Sequence, residues 1–324
     1  MASPGDWKIP ASVQPKAADY AFDLAQALTA IVALSTRVPD EAFTAETLGT
    51  ERAGNGVVIG DDGLVVTIGY LVMEADTVWL TTQDGRSVPG HVVGYDAVTG
   101  FGLVQALGPL GLPALPLGRS AGVKVGDRAI VAGVGGRQRS VAVEIVARQE
   151  FAGYWEYVLD EALFTAPAHP HWGGAALIGS AGELLGIGSL QLQQGTAEGP
   201  KTINMIVPID LLKPILDDLV TRGRADRAPR PWLGLYASDG DDAVVVMGLA
   251  DDGPAEAADL RAGDVVAAVA GEPVADLAGF FRQVWALGEA GVRVPLTIRR
   301  DGQTIKLAVT SANRDRFLVS PPLH

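Results

Sequence analysis

Between Gly54 and Leu117 the chain turns back on itself every few residues. Short apolar runs (GNGVVIG, LVVTIGYLV, TVWLTTQDG, HVVGYD, FGLVQAL) alternate with Asp-Gly and Gly turns. Runs this short, closed by residues that accept a positive φ, make β-hairpins and leave no length for a long helix. A proline-spaced connector, LGPLGLPALPLG, leads into a second series: VGDRAIVAGVG, SVAVEIVARQ, YVLDEALFTAP, GGAALIG, ELLGIGSLQLQ and TINMIVPID. Two β series of similar size, one after the other, predict a mainly β chain built on a double barrel.

Ahead of the first series the pattern predicts a helix from about Ala17 to Leu28 running into the strand TAIVALSTRV. The apolar stretch AFDLAQALTAIVAL holds Asp23 and Gln26, lacks a basic flank and falls short of the ~20 apolar residues of a span, so neither signal peptide nor membrane span is read here. After the second series a helix, IDLLKPILDDLVTRG, runs into RADRAPRP, whose charge, prolines and lack of periodicity mark a domain boundary. Beyond it, PWLGLYAS, DAVVVMGLA, GPAEAADL, AGDVVAAVAGEPV, LAGFFRQVWALG and VPLTIRRDGQTIKLAVTS make an α+β module, and NRDRFLVSPPLH is predicted to be extended. The expected division is 1–220 for the double barrel with its N-terminal helix, 221–230 for a linker, 231–311 for the module and 312–324 for the tail.

Composition removes several functions. With 324 residues, 48% of them hydrophobic, the chain can bury a sizeable core. It has no cysteine, hence no disulfide, no thiol nucleophile and no cysteine-bound zinc. A formal net charge of −13 offers no basic footprint for nucleic acid or anionic lipid. The glycines of GVGG and GIGSL open no helix and precede no Gly-Lys-Ser/Thr, so they read as barrel bends and no nucleotide cofactor is expected. The acidic DGDD at 239–242 lacks EF-hand spacing and reads as a solvated turn.

Several stretches match one family in order and spacing: GNGVVIGDDGLVVT, DGRSVPGHVVGYDAVTGFGLV and LPALPLGRSAGVKVGDRAIVAG in the barrels, then WLGL, GPAEAADLRAGDVVAAVAGEPV and RRDGQTIKLAV. From Gly54 to Thr310 the chain resembles an HtrA/Deg-type serine protease. The resemblance implies a chymotrypsin-like double β-barrel followed by an α+β PDZ domain, bacterial proteolysis and protein quality control as the setting, and a periplasmic location. The chain as it stands, with no leader read in it, would stay cytoplasmic, and a homo-oligomer is left open.

The same resemblance implies that the catalytic groups are gone. The family's general base falls on Tyr70, whose phenol has a pKa near ~10 and keeps its proton at neutral pH. The orienting aspartate falls on Gly100, while Asp96 matches an earlier, noncatalytic acid of that segment. The nucleophilic serine falls on Trp172, and the glycine that gives one oxyanion N–H falls on Pro170, which has none. The chain therefore reads as a pseudoprotease.

Two rivals stay open: an endopeptidase of this family with a rearranged site, pairing Ser180 or Ser189 with a histidine, and a metal-binding scaffold on His169 and His171. Against the second stands a plainer reading of APAHPHWGG as a solvent-exposed loop stiffened by Pro167 and Pro170; His91 is a lone strand residue. A PDZ domain takes a peptide C-terminus as an added strand, its carboxylate held by backbone N–H groups. By resemblance that loop is Trp232-Leu233-Gly234-Leu235, and Phe281 and Trp285, four apart on a helix, would line the groove or else fill the domain's core. The partner so implied is a peptide or protein C-terminus.

Overall fold

The computed structural model describes residues 7–196, 199–240 and 243–319. The first β series closes into a six-stranded barrel from β1 (Ile31–Arg37), β2 (Glu51–Val58), β3 (Leu64–Ile68), β4 (Thr77–Thr81), β5 (Ser87–Tyr95) and β6 (Phe101–Ala106), in the order β1-β2-β3-β6-β5-β4. The second closes likewise from β7 (Arg128–Ala132), β8 (Ser140–Gly153), β9 (Tyr157–Ala166), β10 (Ala176–Ile178), β11 (Leu184–Thr196) and β12 (Gly199–Pro208), in the order β10-β11-β12-β9-β8-β7. Closure leaves no free sheet edge. Along β4 the burial alternates with period two, Val78 and Leu80 inside and Trp79 half in water, as a strand with one core face requires.

The module forms a sheet β13-β14-β15-β17-β18 from β13 (Leu235–Gly240), β14 (Ala243–Leu249), β15 (Val265–Val269), β17 (Arg293–Arg300) and β18 (Gln303–Thr310), with the short β16 (Glu272–Pro273) paired to β15. The helices are α1 (Leu24–Thr29), α2 (Ala45–Leu48), α3 (Leu216–Arg222), α4 (Pro254–Ala257) and α5 (Leu277–Ala286). Asp276 caps α5 by accepting from the Gly279 N–H at 2.6 Å, and Phe280, Phe281 and Val284 carry its buried face.

Three expectations need correction. The N-terminal helix is shorter than 17–28: a single turn at Ala17–Asp19 ends at extended Tyr20, and α1 begins only after Asp23, whose side chain caps it. The helix expected over IDLLKPILDDLVTRG is broken into short turns at Ile209–Leu211 and Lys213–Ile215 before α3, because Pro214 has no N–H to continue it. Among its described residues the tail is not extended throughout. Ala312 exchanges two backbone hydrogen bonds with Trp232, a turn forms at Arg314–Arg316, and Phe317 packs on the Trp232 ring at 4.8 Å.

The chain divides into two compact units. One holds the residues through Gln149 and Glu161–Asp226; the other holds Arg227–Val319 together with Glu150–Asp160. The stretch 150–160, expected within the 1–220 block, thus belongs to the C-terminal unit. It is the tip of the β8–β9 hairpin, and Val158 is buried in the same core as Leu233, Leu235 and Phe281.

Candidate functional site

In the first unit the residues at the base and nucleophile positions meet. Tyr70 sits in a turn after β3, held from below by the buried Arg52, which donates to the carbonyls of Tyr70 and Met73 at 2.8 and 2.9 Å. Its phenol donates to the Ser189 carbonyl at 3.0 Å and is hydrogen-bonded by the Trp172 side chain. An indole can only donate, so Trp172 Nε1 is the donor and the phenol oxygen the acceptor. Burial raises the phenol pKa above its ordinary value, and the bond from Trp172 offsets only part of that. At neutral pH Tyr70 is a neutral, doubly engaged hydroxyl.

Gly100 lies in a tight turn at φ +86°, its N–H bonded to the Asp96 carbonyl and its carbonyl to the Gly69 N–H, both at 2.7 Å. The Asp96 carboxylate accepts from Thr99 N–H and hydroxyl at 2.8 and 2.7 Å, which accounts for it as a turn-former.

The loop 169–174 is braced from beneath by a residue that sequence reasoning missed. Asn55, buried on β2, donates from Nδ2 to the carbonyls of His171 and Gly173, accepts from Val134 N–H at its Oδ1, and donates its own N–H to Gly173. Gly174 is where this fit demands glycine: φ is +73°, and a Cβ would stand 1.9 Å from the Asn55 carbonyl oxygen. Pro170 is exposed and offers no N–H, and the neighbouring His171 N–H is turned to His169 Nδ1 at 3.1 Å.

The HPH motif is not the open loop expected. His169 is fully buried; its Nδ1 accepts from His171, so its proton sits on Nε2, which donates to the Arg139 carbonyl at 2.9 Å. Neither nitrogen keeps a lone pair for a cation or for activating a serine. Burial also lowers the His169 pKa. His171 is exposed and lies tilted against the Trp7 ring at 4.3 Å, with the Arg139 guanidinium 5.0 Å over the same indole. Ser180 is exposed, Ser189 is buried, and no group of three or more metal-ligating side chains gathers among the described residues. His91 lies on β5 and pairs with Gln105 of β6, while Asp241, Asp242 and His324 lie outside the described residues.

In the C-terminal unit, Gly234 takes φ +73°, and this left-handed residue turns three successive N–H groups to one side, a ready anion cradle. The cradle is filled. Glu156 Oε1 accepts from Leu233, Gly234 and Leu235 at 3.1, 2.8 and 3.2 Å, and Oε2 from Leu233 at 3.0 Å. Burial pushes the Glu156 carboxyl up to about 7, opposed by the N–H bonds and by the charge of Arg314. Trp232 aims its ring at Phe317, and Phe281 is fully buried, so it serves the core; Trp285 is partly buried, stacked on Phe281 at 5.9 Å and covered by Arg230 at 4.3 Å. Glu156 was not singled out from sequence, since nothing local marks a glutamate in YWEYV as a ligand for residues about eighty positions away.

Comparison with known proteins agrees with this architecture. Residues 54–187 match the trypsin-like peptidase domain and residues 231–310 the PDZ domain. These two domains in this order are those of HtrA-type serine proteases, to which the chain is similar. It is 29% identical over 286 residues to the putative serine protease HhoA of Synechocystis, covering 80% of this chain and 70% of that one. With the serine endoprotease DegS of Escherichia coli K12 it shares 27% over 271 residues, 79% and 76% of the two chains. A solved HtrA-type protease, AlgW with tripeptide, superposes with a TM-score of 0.53 at 24% identity, covering 95% of this chain and 99% of that one, a likeness of fold. The chain therefore has a trypsin-like domain followed by a PDZ domain; no described helix is long and apolar enough to cross a membrane.

Proposed function

We propose that the trypsin-like unit is catalytically silent and that the PDZ domain captures the C-terminal carboxylate of a peptide or protein, so that the chain works as a scaffold or regulator, in the periplasm as the family resemblance implies. The observation that carries the binding half is the cradle of Leu233, Gly234 and Leu235 N–H groups closed on a carboxylate. Charge-assisted bonds of this kind are about twice as strong as neutral ones. The silent half is supported by the pairing of Tyr70 with Trp172: at the positions that the resemblance assigns to base and nucleophile stand a partly buried neutral phenol and an indole, neither able to attack a carbonyl. Pro170 withholds one oxyanion donor, and losses of base, orienter, nucleophile and donor leave no part of the mechanism.

The binding half is tested with the full chain and pooled fluorescein-labelled decapeptides, random except for a last residue of Leu, Val or Phe, each made as free acid and as amide. Free acids bind well above the amides. Equal binding of both forms places recognition on another surface.

A further inference from the structure

Resting on that reading of the PDZ cradle, we infer that Glu156 is an internal ligand: the tip of the β8–β9 hairpin is docked in the peptide site as a mimic of a C-terminus, and an external carboxylate binds only when this tip leaves.

Independent contacts place the tip as a bound peptide would lie. The Glu156 side chain supplies the carboxylate, held by all three N–H groups of the cradle. Two residues earlier, the Tyr154 carbonyl accepts from the Ala237 N–H at 3.0 Å, and Ala237 stands two residues after Leu235 on β13. Matching steps of two on both chains are the spacing of an added strand. From α5, Arg282 forms ion pairs with Glu150 and Asp160, the two ends of the tip. Next to the carboxylate, Val158 is buried among Leu233, Leu235 and Phe281.

The tip carries what such an exchange requires. Glu156 has φ +61°, a conformation that costs a non-glycine residue energy, so the docked turn is held by its contacts and not by its own preference. The ion pairs of Arg282 are exposed and of little strength, its partners Glu150 and Asp160 being 43% and 87% accessible. An external C-terminus offers the same carboxylate without that turn. The site is one that a suitable peptide can win.

The test uses the full chain as wild type, Glu156→Gln and Glu156→Gly; glycine accepts the positive φ, so that variant relieves the turn and removes only the carboxylate arm. Two readouts are taken: affinity for the free-acid and amide decapeptide pools described above, and hydrogen exchange at the Leu233, Gly234 and Leu235 amides. A site open a tenth of the time or less binds about tenfold or more weakly than an open one, so free acids gain about tenfold or more on Glu156→Gly, with a smaller gain on Glu156→Gln. The three amides lose protection in Glu156→Gly, and saturating free-acid peptide on the wild type deprotects the tip. Equal affinity of wild type and Glu156→Gly for free acids overturns the internal ligand while leaving carboxylate capture standing. Unchanged amide protection in Glu156→Gly overturns it as well. Binding to no variant, with amide protection lost in Glu156→Gly, defeats carboxylate capture itself and reduces Glu156 to a structural clasp.

Discussion

Replacing Trp172 with alanine measures how much the half-buried indole and its bond to Tyr70 contribute to the trypsin-like unit. A fully buried Trp→Ala change costs about 3–5 kcal/mol, but Trp172 is only half-buried, which brings the packing loss to roughly half of that. The indole N–H also gives a hydrogen bond to the Tyr70 phenol, worth about 0.5–1.5 kcal/mol. Together the loss is about 2–4 kcal/mol. For a unit of this size each kcal/mol lowers the melting temperature by about 2–4 °C, so a drop of roughly 4–16 °C is expected in the calorimetric transition of the trypsin-like unit. Trp172→Phe keeps most of the volume and loses the donor, and should cost about 1 kcal/mol. Tyr70→Phe strands the buried Ser189 carbonyl and the indole N–H at once, and should cost about 1–3 kcal/mol. In the double variant the two losses should fall short of additivity by about 0.5–1.5 kcal/mol, because they share one bond. An unchanged melting temperature in Trp172→Ala, or strict additivity of the two phenylalanine variants, would refute the pairing of Trp172 with Tyr70.

Gly174→Ala should fail to fold or lose more than about 3 kcal/mol, read by calorimetry, because a Cβ there meets the Asn55 carbonyl at 1.9 Å on a backbone already at φ +73°. Trp172→Ser alone should stay inert in a casein assay, and adding Tyr70→His, Pro170→Gly and Gly100→Asp meets a further obstacle, since an aspartate at φ +86° costs about 1–2 kcal/mol. The hairpin tip should respond to pH. The docked Glu156 carboxyl is raised to about 7, so docking is strongest below its ordinary value and weakens as pH rises through about 7; Arg314 is the charged group that opposes the shift, Tyr236 of β13 lies across from the Tyr154 ring, and Arg282 is engaged with Glu150 and Asp160. Protection of the Leu233–Leu235 amides, corrected for intrinsic exchange, should fall between pH 5 and 8 in the wild type and stay flat in Glu156→Gln.

What could be read in the sequence was what repeats locally. Alternation such as that of Thr77–Thr81, closed by Asp-Gly turns, carries its own β signal, and two runs of it suffice for two barrels. The helix at 17–28 misled because its apolar spacing is helical while Tyr20 and Asp23 interrupt the backbone, a matter of φ and capping that periodicity does not weigh. The positions of Tyr70, Gly100 and Trp172 were readable only through the resemblance, and the bond from Trp172 to Tyr70 joins one residue of the first barrel to one of the second, a contact that no local pattern announces. Asn55 looked like any polar strand residue. Its role depends on the carbonyls of His171 and Gly173, which come to it from more than a hundred positions later. Glu156 was hidden for the same reason: a carboxylate in a hairpin tip declares nothing until the N–H groups of Leu233, Gly234 and Leu235 close on it.

The central claim is that a trypsin-like double barrel here keeps its loop architecture without its chemistry. It is tested most directly by incubating the purified full chain with a fluorophosphonate probe and with labelled casein, in the presence and absence of the free-acid decapeptide pools, beside an active HtrA-type protease. The account predicts no covalent labelling and no casein turnover under either condition. Covalent labelling at a serine, or casein turnover above that of a control without the chain, would contradict it.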